Sequence, residues 1–578
     1  MDGRYQLFEN LSNEIVYEIF EYLDAYHVYQ AFYNLNKRFR NILMLSSLPI
    51  KLNTSNISKS SFHNYYEQFI VPNENRVSSM YLSHPFIADL ILPASENIVR
   101  FSQLKTLVIE NIDSEYLENI LEHLAALSKL SLLIINSVYN IHSKNIVYER
   151  IFRLPALKRC VLSLNDIGIC YSLPQNVGTF SSIEYLIIKN EVSLVELMSL
   201  LSYVPHLRYL SIDHLCHSYP ERYKDFPLVL KDLTHVNLKL QRITFDYFES
   251  SIMKFFHHLQ VLRISTSNDI EYLNATRWEK VISSYMSQLR VFDIEHEHVL
   301  KNGTDINLYQ NLTNQFTTSF WTKRKWFFGH QHSCLGHSNH VIFYSTHSYR
   351  RNYYKLRNVC NRYNYLRQTV YNLDVVRHVH IGQQSRLNYC SIYFPNATEL
   401  AISDAAFDGS ACSLLGNIVC LSKLTKIVID YKITHFSETM QILNSAYNCQ
   451  TLVIHFFSVD ESQLSFTQTS ETFRLLSSRN NIRNLTVKSL CTLQQVEFLV
   501  QLCPRLQHLD IHVSHEDFQS IIKYFLRNYE GIRNLLTLHI KSSEDIWIEK
   551  VINTIAEERQ VDEISAKFIG YFQCYLWR

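Results

Sequence analysis

Glycine is scarce in this chain, with 11 residues in 578. Folds that cradle phosphate on glycine-rich loops need glycine at fixed positions, and neither GxGxxG nor GxxxxGK[ST] occurs. HExxH and GxSxG are missing as well, and the acidic residues are spread out with no carboxylate pair standing apart. Neither sign of charge dominates: 55 Lys and Arg against 54 Asp and Glu leave +1, without the basic excess of a nucleic-acid binder. No run reaches the ~18 apolar residues of a membrane span, and the opening MDGRYQLFENLSNE has no basic-then-apolar signal pattern. The 12 cysteines are scattered with no CxxC pair, which fits a large chain with reduced thiols. These absences predict a non-catalytic protein of the cytoplasm or nucleus. It is expected to need no cofactor and no metal, and to have no nucleic-acid or membrane partner.

What is present is apolar surface in two textures. With 47% hydrophobic residues the chain can bury a core, and its length exceeds what one core organises, so several domains or a repeat array are expected. The first texture fills Leu11 to Leu43. Leu11, Ile15, Ile19 and Leu23 step by four, Val16 and Phe20 widen the stripe, and Glu14, Glu18 and Glu21 take other faces, which predicts a helix with one buried side. Ser12 is placed to cap it, with Glu14 in the first turn. Asp24 caps a second helix carrying Val28, Ala31, Phe32 and Leu35 inward. Asn36 caps a third with Phe39, Ile42 and Leu43 inward and Lys37, Arg38 and Arg40 outward. Three helices this short bury little surface, so the unit needs a neighbour.

The run Leu-x-x-Glu-Ile, Ile-Phe-x-x-Leu-Asp and Asn-Lys-Arg-Phe-Arg resembles an F-box. Members typically begin Leu-Pro, where this chain has Leu11-Ser12. The resemblance implies docking on a Skp-type adaptor, and through it on a cullin, in an SCF ubiquitin ligase. It places Leu11, Ser12, Glu14, Ile15, Ile19, Phe20 and Leu23 at the adaptor contact. An apolar helix stripe laid in a partner's groove suits that role.

The second texture is a repeat. The pattern apolar-x-x-apolar-x-apolar has first anchors at Val77, Leu104, Leu130, Leu157, Ile183, Leu207, Leu233, Leu259 and Leu289, at intervals of 27, 26, 27, 26, 24, 26, 26 and 30. It resumes at Val376, Ala397, Leu424, Cys449, Ile482, Leu506 and Leu535, at intervals of 21, 27, 25, 33, 24 and 29. Helix-like segments such as SEYLENILEHLAALS (Ser114 to Ser128) lie between. Strand and helix at a period near 26 resemble leucine-rich repeats, with Asn111 and Asn190 at the turn position that usually carries Asn or Cys. A lone repeat buries too little to stand, and stacking supplies the rest. The array is expected to begin near Ile50 to Leu52, with SFHNYYEQF (Ser61 to Phe69) stacked on the helical unit, and to end in the strand-like cap AKFIGYFQCYLWR (Ala566 to Arg578).

The expected architecture is therefore an α/β repeat: an N-terminal three-helix F-box at 7–48, a leucine-rich-repeat solenoid (horseshoe) at 49–300, an insertion at 301–375, and a second array with its cap at 376–578. Within the insertion, Trp326 to His330 reads as continuing the parallel sheet and Val341 to Ser345 as an added strand or hairpin. The segment is aromatic and locally basic, with Lys323, Arg324, Lys325, Arg350, Arg351 and Lys355, as befits a binding loop. His330, His332, Cys334, His337 and His340 cluster there but match no metal spacing and read as an exposed polar loop. EHEH (Glu295 to His298) reads as lining a surface. Residues between the strand anchors should face outward. Arg208, Tyr209, His235, Gln260, Arg263, Arg290 and Asp293 are the candidate contacts to a protein substrate, and Arg377, His378 and His380 continue that character. The expected function is the substrate-recognition subunit of an SCF-type ligase. The alternative is a leucine-rich-repeat scaffold acting without a cullin.

Overall fold

The computed structural model describes residues 8–53, 57–82, 85–91, 95–110, 114–141, 144–165, 181–217, 230–300, 306–335, 338–346, 353–356, 373–382, 392–403, 411–528, 532, 534–542, 552–553, 565–569 and 573–577. Two compact units divide the chain, Met1–Ile294 and Glu295–Arg578.

The first unit opens with three short helices, α1 (Asn13–Glu21), α2 (Ala25–Phe32) and α3 (Lys37–Leu45). The Asp24 carboxylate accepts from the Tyr26 N–H at 2.9 Å, and the Asn36 side chain accepts from the Phe39 N–H at 3.0 Å. Such caps are each worth about 1 kcal/mol. Ser12 stands at the cap of α1 but its side chain makes no capping bond. Arg38 secures that end instead, reaching Asn13 Oδ1 at 2.8 Å and the carbonyls of Glu9 and Leu11. The inward residues of α3 are Phe39, Ile42 and Leu43, as its periodicity predicts. On α2 the periodicity is right for Val28, which is buried, but Ala31 and, past the helix end, Leu35 are exposed, and Tyr26 and Tyr29 are buried instead. The helix serves two neighbours at once. Phe32 packs on Phe20 and Phe39 (5.0 and 5.4 Å), while Tyr26 and Tyr29 turn to Tyr65 (5.3 and 5.1 Å) on α4 (Lys59–Tyr65). The Tyr29 hydroxyl donates to Gln68 Oε1 at 2.9 Å, and Arg76 binds the Leu43 carbonyl at 2.9 Å. The helical unit is thus seated on the start of the repeats.

The strands then follow in strict order: β1 (Ile50–Asn53), β2 (Val77–Leu82), β3 (Thr106–Glu110), β4 (Leu132–Asn140), β5 (Arg159–Asn165), β6 (Tyr185–Ser193), β7 (Tyr209–Cys216), β8 (His235–Gln241), β9 (Val261–Ser267) and β10 (Val291–Leu300). Each lies beside its predecessor and its successor. From β1 to β9 every pairing is parallel. The register lines up the second anchors as one buried row: Leu107, Leu133, Cys160, Leu186, Leu210, Val236 and Leu262. From β3 on, the first anchors are buried just before their strands rather than in them; Leu104, for example, closes a turn onto the Phe101 carbonyl at 2.9 Å. Helices connect the strands, including Ser114–His123 and Leu194–Tyr203, the latter with a Ser193–Glu196 capping box. The unit is a solenoid-like repeat: parallel strands in chain order, each followed by a helical return.

One polar knot ties two returns together. The Arg277 guanidinium reaches Asp246 at 2.7 Å, Glu249 at 2.5 Å and Glu271 at 3.1 Å, and lies 4.5 Å from the Phe245 ring centroid. Arg277→Ala leaves three carboxylates facing one another. Because the knot is partly exposed, a loss of about 1–2 kcal/mol in unfolding free energy is expected. Raising the salt concentration should recover part of it, as denaturant titrations at two ionic strengths would report.

In the second unit β10, from Glu295 on, pairs antiparallel with β12 (Ser338–Ser345), and β12 pairs antiparallel with β11 (Phe328–Leu335). The expectation that Trp326 to His330 extends the parallel sheet is therefore corrected. Its strand is the outer arm of a hairpin, and the later strand takes the place beside β10. The aromatic residues of this segment make its own core. Phe316 lies 4.6 Å from Phe328 and 4.8 Å from the fully buried Trp321, and Phe328 stacks on Phe343 at 5.5 Å.

The parallel ladder resumes with β13 (Tyr353–Leu356), inside the span read as insertion. It continues through β14 (His378–Ile381), β15 (Glu399–Ile402), β16 (Lys426–Ile433), β17 (Thr451–Phe457), β18 (Asn484–Cys491), β19 (His508–Val513) and β20 (Thr537–Ser542). The hairpin β21 (Ser565–Ile569) and β22 (Gln573–Trp577) closes it, β22 running antiparallel to β20 with Trp577 buried.

EHEH lines the surface only in part: Glu295, Glu297 and His298 are half-buried, but one residue is enclosed. His296 is 0% exposed, its ring 6.1 Å from that of His298. Burial pushes the His296 imidazole down to about 3, with the neighbouring His298 adding to the effect. An unfolded histidine titrates near 6.5. The unfolded chain therefore binds a proton that the folded chain refuses, and stability that is complete above pH ~6.5 is lost as pH falls toward 3. At pH 5 the loss is about 2 kcal/mol. His296→Gln should lose that much less between pH 7 and pH 5 in urea titrations; an identical loss in both proteins would remove His296 as the cause.

Candidate functional site

Two surfaces answer to the expected contacts. Along α1 and its flanks, Ile15 and, just past the helix end, Leu23 are each 45% exposed, Ser12 and Glu14 are exposed, and Leu11 and Ile19 are half-buried. Val16 and Phe20 face the helical core and hold the helix down. Phe20, grouped with the contact residues from sequence, is 7% exposed against Phe32 and does not belong to the open ridge. The backbone N–H of Glu14 and the Ser12 hydroxyl hold the Glu14 carboxyl below its ordinary range, so the start of the ridge is anionic. Tyr22, 83% exposed and seven residues after Ile15, continues the ridge. That i, i+7 spacing was the signal that could have found it.

The second surface is the open face of the first unit's sheet. Inward positions are buried and the alternate positions look out, as in the β5 and β8 strands. Tyr185, Tyr209 and His235 hold the same register on β6, β7 and β8. Their rings stack in series at 6.0 and 6.2 Å, and the Arg159 guanidinium covers the far side of Tyr185 at 5.3 Å. Just before these strands Glu184 binds Lys158 at 2.9 Å and Arg208 at 3.6 Å. The Lys158 hydrogen bond keeps the Glu184 carboxyl below its usual range. Arg263 is half-buried on β9. Gln260 and Arg290 sit in the turns, their backbone N–H groups donating to the preceding repeat. Asp293 is only 8% exposed and so is not presented as an open contact. Arg159 and Tyr185 were missed, although each stands two residues after its first anchor, as Tyr209 and His235 do.

Asn190 plays the part its turn position implies: its Oδ1 accepts from the Leu164 N–H at 3.2 Å. Asn111 lies outside the described residues. A cavity of about 500 Å³ opens at the carboxyl ends of β4, β5 and β6, lined by Asn136, Ser137, Ser163, Asn190 and the buried Lys144.

On the second unit, His378, of the expected continuation, lies 3.8 Å from Glu399. A hydrogen-bonded chain runs across β13 to β17. The Tyr353 hydroxyl meets His380 Nδ1 at 2.9 Å, His380 Nε2 meets Ser403 Oγ at 2.5 Å, Ser403 reaches Asp430 at 3.3 Å, and Asp430 holds His455 at 2.6 Å. The order is wrong for an activated serine, because the carboxylate sits on the hydroxyl rather than behind the imidazole.

His330 bonds Thr313 at 2.9 Å, and His337 lies outside the described residues. Among the described residues no three His, Cys, Asp or Glu side chains are grouped to hold a metal, and no helix is long and apolar enough to cross a membrane.

No protein-family model matches the chain, and no curated protein does. Among solved structures it is similar to TLR13 in its complex with ssRNA13, at 14% identity and a TM-score of 0.23, over 88% of this chain and 63% of that one. It is also similar to Toll in the Toll–Spatzle complex of Drosophila, at 10% identity and a TM-score of 0.16, over 83% of this chain and 44% of that one. The chain spans less than two thirds of either length, and the repeat fold is read from its own strand order.

Proposed function

We propose that this chain is the substrate-recognition subunit of an SCF-type ubiquitin ligase. Its helical unit acts as an F-box that docks on a Skp-type adaptor, and its strand–helix units, read as leucine-rich repeats, grip a protein substrate. The chemistry of ubiquitin transfer then belongs to other subunits. The observation that carries this reading is the open α1 ridge. Ile15 on α1 and Leu23 just past its end face solvent, beside a helix whose other side is fastened by Val16, Phe20 and Arg38, on a unit too small to stand alone. An apolar stripe kept rigid and uncovered is what a helix-in-groove contact needs. The uncapped Ser12 favours one second reading, a repeat scaffold that works without a cullin, because the start of the ridge then depends on Arg38 rather than on a cap of its own. Capture of the purified chain by a Skp-type adaptor tests the proposal. Recovery of adaptor and cullin together supports it, and failure to capture the adaptor ends it.

A further inference from the structure

The net charge of the whole chain is +1, but its charge is not evenly laid out. On β5 to β9, the open positions and the residue before each strand carry six cations, Lys158, Arg159, Lys189, Arg208, Lys239 and Arg263, against three carboxylates, Glu184, Glu191 and Asp213. Two of these carboxylates are already engaged, Glu184 by Lys158 and Arg208, and Asp213 by Lys239 at 3.7 Å. The middle of this face is apolar. Val161 and Ile187 lie side by side in register, next to Tyr185, which is 38% exposed.

We propose that this face binds an acidic polypeptide segment, its carboxylates on the cationic rim and an apolar side chain seated over Val161 and Ile187. The proposal rests on the reading of the repeats as the substrate grip and names the class of substrate. Guanidinium and ammonium groups around an apolar centre complement alternating acidic and aliphatic residues. Single-stranded nucleic acid suits the site less well. Base stacking needs a free ring face, and both faces of Tyr185 are taken, by Arg159 at 5.3 Å and Tyr209 at 6.0 Å. Tyr209 is likewise held between Tyr185 and His235.

The test uses the full chain and four fluorescent probes. These are a dodecapeptide of Asp and Glu flanking Leu-Leu, the same peptide with Lys in place of the acids, the acidic peptide with Ser in place of Leu, and a short oligouridine RNA. Anisotropy should show the first bound about tenfold or more tighter than the other three. The double variant Arg159→Glu/Arg208→Glu, which alters only exposed side chains, should weaken it about tenfold, and Tyr185→Ala should independently do the same. Adaptor capture should be unchanged in both. No binding of the acidic peptide at about 1 mM, preference for the basic peptide or the RNA, or affinity unmoved by both variants would overturn the proposal. Loss of adaptor capture with peptide binding intact would sink the ligase reading and leave this one standing.

Discussion

Aspartate at both Ile15 and Leu23 is expected to abolish capture by a Skp-type adaptor while the rest of the chain stays folded. Each side chain is close to half exposed, Ile15 on α1 and Leu23 just past its end, and a groove that closed over both would remove their remaining apolar surface from water. Fully burying such a side chain is worth about 1.5–3 kcal/mol. Two of them, replaced by carboxylates that would be buried without partners, should cost about 3–6 kcal/mol, or 10²- to 10⁴-fold in Kd. Neither position packs inside the helical unit, so the melting temperature should move little. Val16→Asp is the control with the opposite signature. Val16 is 0% exposed, so this change should melt the helices first and lose capture only as a consequence. If the Ile15/Leu23 variant still captures the adaptor as well as the parent, α1 is not the docking element.

Much of this arrangement could be read from residue order, because the burial of apolar anchors that builds the solenoid is local and periodic. First anchors such as Leu104, Leu207 and Leu424 recur near 26 residues, and each is buried as that spacing requires. A parallel strand with a helical return has few other ways to hide such a pattern. The errors fall where an element answers to neighbours far away in sequence. The stripe on α2 could not reveal that Tyr26 and Tyr29 belong to α4, nor could the alternation in EHEH tell that His296 would be enclosed. The hairpin was recognisable as added strand, but not which arm would sit beside β10, since both arms are equally β-forming. On the open face the same period locates positions such as Tyr209 and His235, yet the stack of Arg159, Tyr185, Tyr209 and His235 became visible only through the register. Pairing offsets of 24 to 26 residues bring these side chains into one line, and the identities of four separated residues do not announce that line by themselves.

Trp278→Ala should produce the largest loss of stability in the first unit, about 3–5 kcal/mol. The indole is 0% exposed on the helix Ala275–Tyr285, with the Phe245 ring at 5.0 Å in the preceding return and Phe292 at 4.8 Å on the strand that follows. Its Nε1–H donates to the Tyr272 carbonyl at 2.8 Å, and the Tyr272 hydroxyl donates onward to the Ile243 carbonyl at 3.1 Å. Alanine would leave a cavity between successive repeats and remove the donor from a buried carbonyl. In a repeat array stability is carried by nearest-neighbour interfaces, so the damage should be local. Hydrogen exchange is expected to show lost protection in β8 to β10 with protection retained in β2 to β5, and Trp278→Phe should restore most of it. Uniform loss across all these strands would mean that the unit unfolds as one block, and the nearest-neighbour account of its stability would fail.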